Sequence, residues 1–390
     1  MISFENTEVA FSDKTTSQLR KAYWMFWLVK NPWLVKLGSH LLRIANAIRF
    51  PLRWVLGPTV FAHFCAGETL EQCQETVNKL SVRNVKGVLD YAAEGVEKEQ
   101  EFEEATQRIL ATIQQAQESE EIAFAVFKFT GIARFAILEK VSADATLTPA
   151  EEAEFLRVKQ RALRICEAAR QAGVPVMIDA EESWIQKAVD ELVEEFMQEF
   201  NTKIPVVYHT LQMYRVDKLY DLKRIASNGK EKGYFPGFKL VRGAYMEKER
   251  ERAARLNYAS PIHPDKHATD QAFDEGVKFC LENIWNLGLV VGTHNEKSCQ
   301  EAMYLMDVAE LDRALPGIYF SQLLGMSDHI SFNMAGQGYN VAKYLPYGPL
   351  RLVMPYLIRR AEENTSVAGQ TGRELFLLKK ELKRRKLARA

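Results

Sequence analysis

Eight short apolar, β-rich runs alternate with stretches of helical spacing, and that alternation constrains the fold more than any other feature. The runs span 85–91, 123–130, 174–179, 204–212, 238–243, 288–293, 317–322 and 339–344. Between the third pair of ends the helical period is plain, with Phe155, Val158, Leu163, Ile165 and Ala168 recurring at turn spacing. Parallel strands need a crossover of a dozen or more residues, usually a helix. Eight such units are also the number that closes a (β/α)8 TIM-like barrel. A doubly wound sheet would carry a glycine-rich phosphate loop after an early strand. The one G-x-G, Gly336-Gln337-Gly338, falls late and precedes a strand. The prediction is therefore an α/β barrel. The polar stretch 142–152 is a loop leading into a helix.

Charge sets the rest of the organisation. The formal net charge is zero, which gives no reason to expect a nucleic-acid partner. Five scattered cysteines without a C-x-x-C argue against a disulfide framework or a zinc site, and for a reducing cytoplasm. The first 13 residues carry Glu5, Glu8 and Asp13, unlike a secretory or transit signal. No apolar run is long enough for a transmembrane helix. From 17 to 67 there is no Asp or Glu, while Arg20, Lys21, Lys30, Lys36, Arg43, Arg49 and Arg53 interleave with Trp24, Trp27, Trp33 and Trp54. Residues 1–80 are thus predicted as a basic, Trp-rich helical arm and 81–390 as the barrel with C-terminal helices. Two roles suit the arm: packing on the barrel with its Trp rings in the core, or peripheral contact with a membrane. The basic stretch 379–389 could act with it or be a solvated tail.

In such a barrel, chemistry gathers where strands end at their C-terminal side. Polar residues mark those ends: Asp90 and Glu94; Lys128 and Thr130; Asp179, Glu181 and Glu182; Gln212; Lys239, Arg242 and Gly243; Thr293 and His294; Gln322 and Leu323; Tyr344. Any single one can be a cap or a structural ion pair. Lys128 stands out in Val126-Phe127-Lys128-Phe129, because an inward cation must find an anion. His294 has no second His nearby, so no metal site is predicted. No Ser or Cys sits in a nucleophile elbow.

The last barrel segment runs Tyr344-Leu345-Pro346-Tyr347-Gly348-Pro349 and continues to Ser366. It is a strand end, a turn, and a helix with Pro349 in its first turn. On that helix Tyr356, Arg359, Arg360 and Glu363 share a face. Alone, a pair of arginines is most often a solvated helix face. With the strand-end cations, it suggests a small carboxylate bound beside an anionic cofactor.

Five ordered motifs then resemble one family: Ile178-Asp179-Ala180-Glu181-Glu182, Lys239-Leu240-Val241-Arg242-Gly243-Ala244-Tyr245, Gly292-Thr293-His294-Asn295, Gln322-Leu323-Leu324-Gly325-Met326, and 344–366. They are similar to those of the FAD-dependent proline dehydrogenases over roughly 80–366. The resemblance implies a distorted (β/α)8 barrel with an N-terminal helical arm, holding non-covalent FAD. It implies oxidation of L-proline to Δ1-pyrroline-5-carboxylate by hydride transfer from C5 to flavin N5. Electrons then pass to a membrane quinone, and the enzyme lies in the cytoplasm against the inner face of the membrane. Position by position, it makes Arg359, Arg360 and Lys128 the carboxylate clamp. Glu94 gates the site with Arg359, Asp179 supports Lys128, and Tyr344 and Leu323 pack on the ring. Gln212, Lys239, Val241, Arg242, Gly243, Ala244, Thr293, His294 and Glu363 match cofactor contacts. Lys239 stands where bacterial fused enzymes carry Arg, and Met246 where several relatives carry an aromatic. With no room for an aldehyde dehydrogenase domain, the product would pass to a separate pyrroline-5-carboxylate dehydrogenase. The rivals are a hydroxyproline dehydrogenase of the same family and a non-catalytic barrel that binds membrane or a partner.

Overall fold

The computed structural model describes residues 3–29, 33, 60–93, 95–366 and 370–388; at 28, 29, 361–366, 370 and 371 the backbone alone is described. Strands β1 (Val85–Tyr91), β2 (Ile122–Lys128), β3 (Val176–Asp179) and β4 (Val207–Gln212) are followed by β5 (Gly237–Val241), β6 (Gly288–Gly292), β7 (Ile318–Leu323) and β8 (Val341–Tyr347). Every neighbouring pair is parallel, in sequence order, and β8 returns to β1 to close the barrel. All eight expected strands form; β1 has the expected bounds, and no other edge is shifted by more than three residues.

The largest useful shift is at β8. The strand runs through Tyr347, so Tyr344 sits within it, paired with Val88, and is not its end. Pro346 offers no N–H to the ladder, but its carbonyl accepts the Ala66 N–H at 2.9 Å.

Alternation along the strands gives the barrel two faces. Val88, Phe124, Met177, Tyr208, Val290 and Tyr344 make an interior cluster. The other strand faces pack with the surrounding helices in a second, larger core. Local chemistry fixes helix ends where the sequence asks for them. The Pro149–Ala172 helix opens on a Thr148/Glu151 capping box with Pro149 in its first turn. It closes at Gly173, whose φ of 67° is left-handed.

The arm begins with the helices Thr7–Ala10 and Thr16–Val29. Leu19, Ala22 and Phe26 lie buried against Leu377 and Leu378 of the Gln370–Leu387 helix. Burying a Leu or Phe contributes about 1.5–3 kcal/mol, so this seam ties the two ends of the described chain together. The expectation that the Trp rings enter the core fails for Trp24, Trp27 and Trp33, which are 60%, 49% and 68% exposed. Leu19, Ala22 and Phe26 already occupy the buried stripe of the second helix, and Trp24 falls off it. Trp54 lies outside the described residues. Among the described residues, no helix is long and apolar enough to cross a membrane.

Candidate active site

Strand register assembles the first part of the site. Lys128 on β2 sits opposite Asp179 on β3. Thr210 on β4 sits opposite Lys239 on β5, and Leu323 on β7 opposite Tyr344 on β8. Asp179 Oδ1 accepts from Lys239 Nζ at 2.6 Å and Thr210 Oγ1 at 3.0 Å. Its Oδ2 accepts from the Tyr344 hydroxyl at 2.7 Å. Lys128 Nζ donates to Asp90 Oδ2 at 2.9 Å and to the Tyr344 hydroxyl at 3.3 Å. The Lys239 ammonium also stands 4.6 Å from the centre of the Tyr344 ring. Among the described residues, Lys128 and Lys239 are thus set against Asp90 and Asp179 in a buried cluster, as burial demands.

Asp90, marked in the sequence only as a strand-end residue, was given no role in the site. The carboxylate expected to support Lys128 was Asp179, but Asp179 lies 3.8 Å from the ammonium and Asp90 is closer. Asp90 stands between Leu89 and Tyr91, the same apolar framing that singled out Lys128. The two carboxylates are also pushed apart. Burial raises Asp90, and Lys128 does not fully offset it. Burial works against Asp179 too, yet Lys239 and Lys128 outweigh it and hold the carboxyl at about 2. Burial and the neighbouring Asp179 push the Tyr344 phenol well above its ordinary range, so it stays a neutral donor.

A second group sits at the ends of β4, β5 and β6. Arg242 Nε donates to Asp270 at 2.7 Å, while its two terminal nitrogens reach Thr293 Oγ1 at 2.7 Å and Ser298 Oγ at 2.9 Å. Gln212 accepts from the Ala244 N–H at 3.2 Å and donates to the Glu181 carbonyl at 2.7 Å. Gly243 has φ of 137°, and a Cβ there would fall 2.5 Å from the Tyr214 ring, so both backbone and space require glycine. Val241 is half-buried beside it, and its carbonyl accepts the Met213 N–H at 2.7 Å. His294 Nδ1 lies 2.9 Å from Ser327 Oγ. Burial, reinforced by Lys343 and Arg360, brings His294 down to about 3, so it is neutral near pH 7.

The helix Leu350–Ser366 begins just after Pro349, whose carbonyl accepts from Leu352 and Val353. Arg360 is buried, with its guanidinium 5.2 Å from the Tyr356 ring. Arg359 is half-buried and stands 5.8 Å from the ring of Tyr245, two residues past Gly243. A cavity of about 620 Å³ opens between this helix and the strand ends, lined among others by Thr130, Glu181, Tyr245, Arg252, Pro355 and Arg359. Glu181, on its wall, accepts from the Thr130 N–H at 3.1 Å. The structure therefore brings Lys128, Asp179, Tyr344, Leu323 and Lys239 together, and places the arginine helix at the cavity. Glu94 lies outside the described residues, as does the side chain of Glu363. Among the described residues there is no cluster of His, Cys, Asp and Glu suited to a metal.

Comparison with known proteins agrees with this geometry. The family model described as proline dehydrogenase matches residues 73–373. The mitochondrial proline dehydrogenase 1 of Dictyostelium discoideum is 32% identical over 379 residues, covering 86% of this chain and 66% of that protein. The carbapenem antibiotics biosynthesis protein CarD of Pectobacterium carotovorum is 36% identical over 322 residues, covering 83% of each. The proline utilization A (PutA) structure from Bdellovibrio bacteriovorus aligns with a TM-score of 0.72 at 19% identity, over 94% of this chain. The chain spans 38% of that PutA chain. A closed (β/α)8 barrel of this kind, matched over most of its length, belongs to the proline dehydrogenase family, whose members are oxidoreductases acting on proline.

Proposed function

We propose that the protein is an FAD-dependent L-proline dehydrogenase that forms Δ1-pyrroline-5-carboxylate and passes electrons to a membrane quinone. The observation that carries this is the buried Lys128–Asp90–Asp179–Lys239–Tyr344 cluster, joined through Leu323 to the helix bearing Arg359 and Arg360. Family membership speaks against a non-catalytic barrel.

The residues present fit FAD. Arg242 and Lys239 supply cations, Gln212, Thr293 and His294 supply polar groups around them, and Gly243, at φ 137°, carries the backbone between them where Tyr214 leaves no room for a side chain. Val241, Ala244 and Glu363 complete the set that the family pattern assigns to it. When bound, FAD supplies a hydride acceptor for the C5 of proline. The chain's own residues do the positioning, which is where catalysis without a covalent intermediate must come from. Arg359 and Arg360 bind the substrate carboxylate with Lys128, and the family pattern makes Glu94 the partner of Arg359. Tyr344 and Leu323 box the ring. The Tyr344 hydroxyl already donates to Asp179 and accepts from Lys128, so the ring is held from both sides. The surrounding cations favour a neutral substrate amine, the form that can release hydride.

A visible spectrum tests the proposal directly. Purified protein should be yellow and bleach on adding L-proline without oxygen; a colourless protein that takes up no added flavin would refute it. Because Tyr344 is fixed by two hydrogen bonds, it has no freedom to accept a ring hydroxyl. We expect kcat/KM for proline to exceed that for 4-hydroxyproline by about 10- to 100-fold. Higher turnover of hydroxyproline would select the sister activity.

The arm supports peripheral association with the cytoplasmic face of a membrane, where the quinone is reached. Exposed Trp24 and Trp27 share the second helix with exposed Arg20 and Lys21. Deleting that helix would also remove Leu19 and Phe26 from the core, so point changes are the cleaner test. Trp24→Ser with Trp27→Ser should lower activity with membrane quinone several-fold and leave activity with a soluble dye unchanged. Equal loss of both would reject the membrane role. The product would pass to a separate pyrroline-5-carboxylate dehydrogenase.

A further inference from the structure

Lys343 is fully buried, on the strand that carries Tyr344, yet it faces away from the barrel interior. Sequence patterning gave no reason to single it out, and the site described above does not use it. A cation with no exposed surface is retained only where its donors are taken up. Here its Nζ lies 2.9 Å from Asp328 Oδ1 and donates to the carbonyls of Met326 at 2.5 Å and Leu323 at 3.4 Å. One ammonium therefore pins three points of the turn that leaves β7.

That turn is strained and polar. Gly325 has φ of 75° and Ser327, which is not glycine, has φ of 52°. His63 lies against the first, with its Nε2 2.8 Å from the Gly325 carbonyl. The second places its hydroxyl 2.9 Å from His294 Nδ1. The turn thus carries Leu323 at one end and the partner of His294 at the other. Two further groups hold it from outside the barrel. Lys14, from the N-terminal segment, pairs with the other oxygen of Asp328. Glu374, from the C-terminal helix, accepts the Ser327 N–H at 2.6 Å.

We propose that Lys343 is a positioning residue for flavin and substrate: by pinning the 323–328 turn it sets Leu323 and, through Ser327, the orientation of His294. Lys14 and Glu374 act on the same turn, so cofactor affinity depends on both chain ends being docked. This rests on the FAD-dependent reading given above.

The test measures FAD dissociation by flavin fluorescence, alongside folding by circular dichroism. Lys343→Met keeps length and removes the charge, leaving Asp328 paired with Lys14. Its FAD dissociation constant should rise at least tenfold, with KM for proline raised as well, in protein that retains the wild-type spectrum. Ser327→Ala, which removes the hydroxyl and leaves Lys343 in place, should weaken FAD in the same direction. Lys14→Met, at the partly exposed edge of the cluster, should do so to a smaller degree and keeps the question answerable if Lys343→Met does not fold. If these variants melt earlier but bind FAD and proline as the wild type does, Lys343 serves the fold alone and the proposal is overturned. If the wild type itself takes up no FAD, the FAD-dependent reading fails instead.

Discussion

Replacing Arg360 with Met should raise KM for L-proline by about 30- to 700-fold, the equivalent of losing ~2–4 kcal/mol of charge-assisted contact to a carboxylate. Methionine fills similar volume and can lay its thioether against the Tyr356 ring where the guanidinium stood, so the fold should survive. The fall in kcat should be the smaller effect, because the clamp holds the substrate's carboxylate and not the carbon that reacts. Steady-state kinetics over a wide proline range, with flavin content measured on the same samples, checks this. An unchanged KM would remove Arg360 from the clamp, and with it the carboxylate-binding role of the 350–366 helix.

Asp179→Ala should be the most damaging change at the bottom of the site. The carboxylate is the shared acceptor for Lys239, Thr210 and Tyr344. Without it, the buried Lys239 ammonium loses the carboxylate it pairs with at 2.6 Å, and breaking a buried pair costs about 3–5 kcal/mol. Tyr344 also loses the acceptor that orients it, so turnover should fall by two orders of magnitude or more even in the protein that folds. Calorimetry and proline-dependent flavin reduction measure the two effects separately. The same residue sets an acid limit. Its carboxyl lies at about 2 in the fold against an ordinary 3.8, so the folded state binds the proton less readily than the unfolded chain. The stabilisation is complete above about pH 4 and is lost as pH falls toward 2. Asp179→Asn should flatten that limb of the Tm–pH curve; an unaltered limb would mean the Lys239 pair is not what sustains it.

Patterning reached the barrel because strand and helix periods are local properties, and eight runs leave few ways to close a parallel sheet. Strand-end residues were legible for the same reason: Lys128, Asp179 and Lys239 each interrupt an apolar run. The partners were not. That Lys128 meets Asp90 before Asp179 depends on which side of β2 its ammonium leans, a matter of register and tilt that no single strand encodes. Lys343 escaped notice because in Val341-Ala342-Lys343-Tyr344 alternation makes it an outward residue. Outward residues are ordinarily solvated, and the Asp328–Ala335 helix, which packs on β8 and supplies the partner of this one, becomes visible only in three dimensions. The arm misled in a different way. Tryptophan is a strong signal for burial, yet smaller neighbours on the same helix took the inner stripe.

The seam between the second helix and the last one has a bearing on how this polypeptide is made. Leu19 and Phe26 leave the ribosome early, while Leu377 and Leu378, which cover them, emerge only after all eight strands. Until then the nascent chain carries an uncovered greasy stripe, and for most of that time an unclosed barrel too, since β1 waits for β8. Chaperone demand during translation should therefore persist until the final helix is released, and a product stopped short of it should aggregate even though its eight strands are complete.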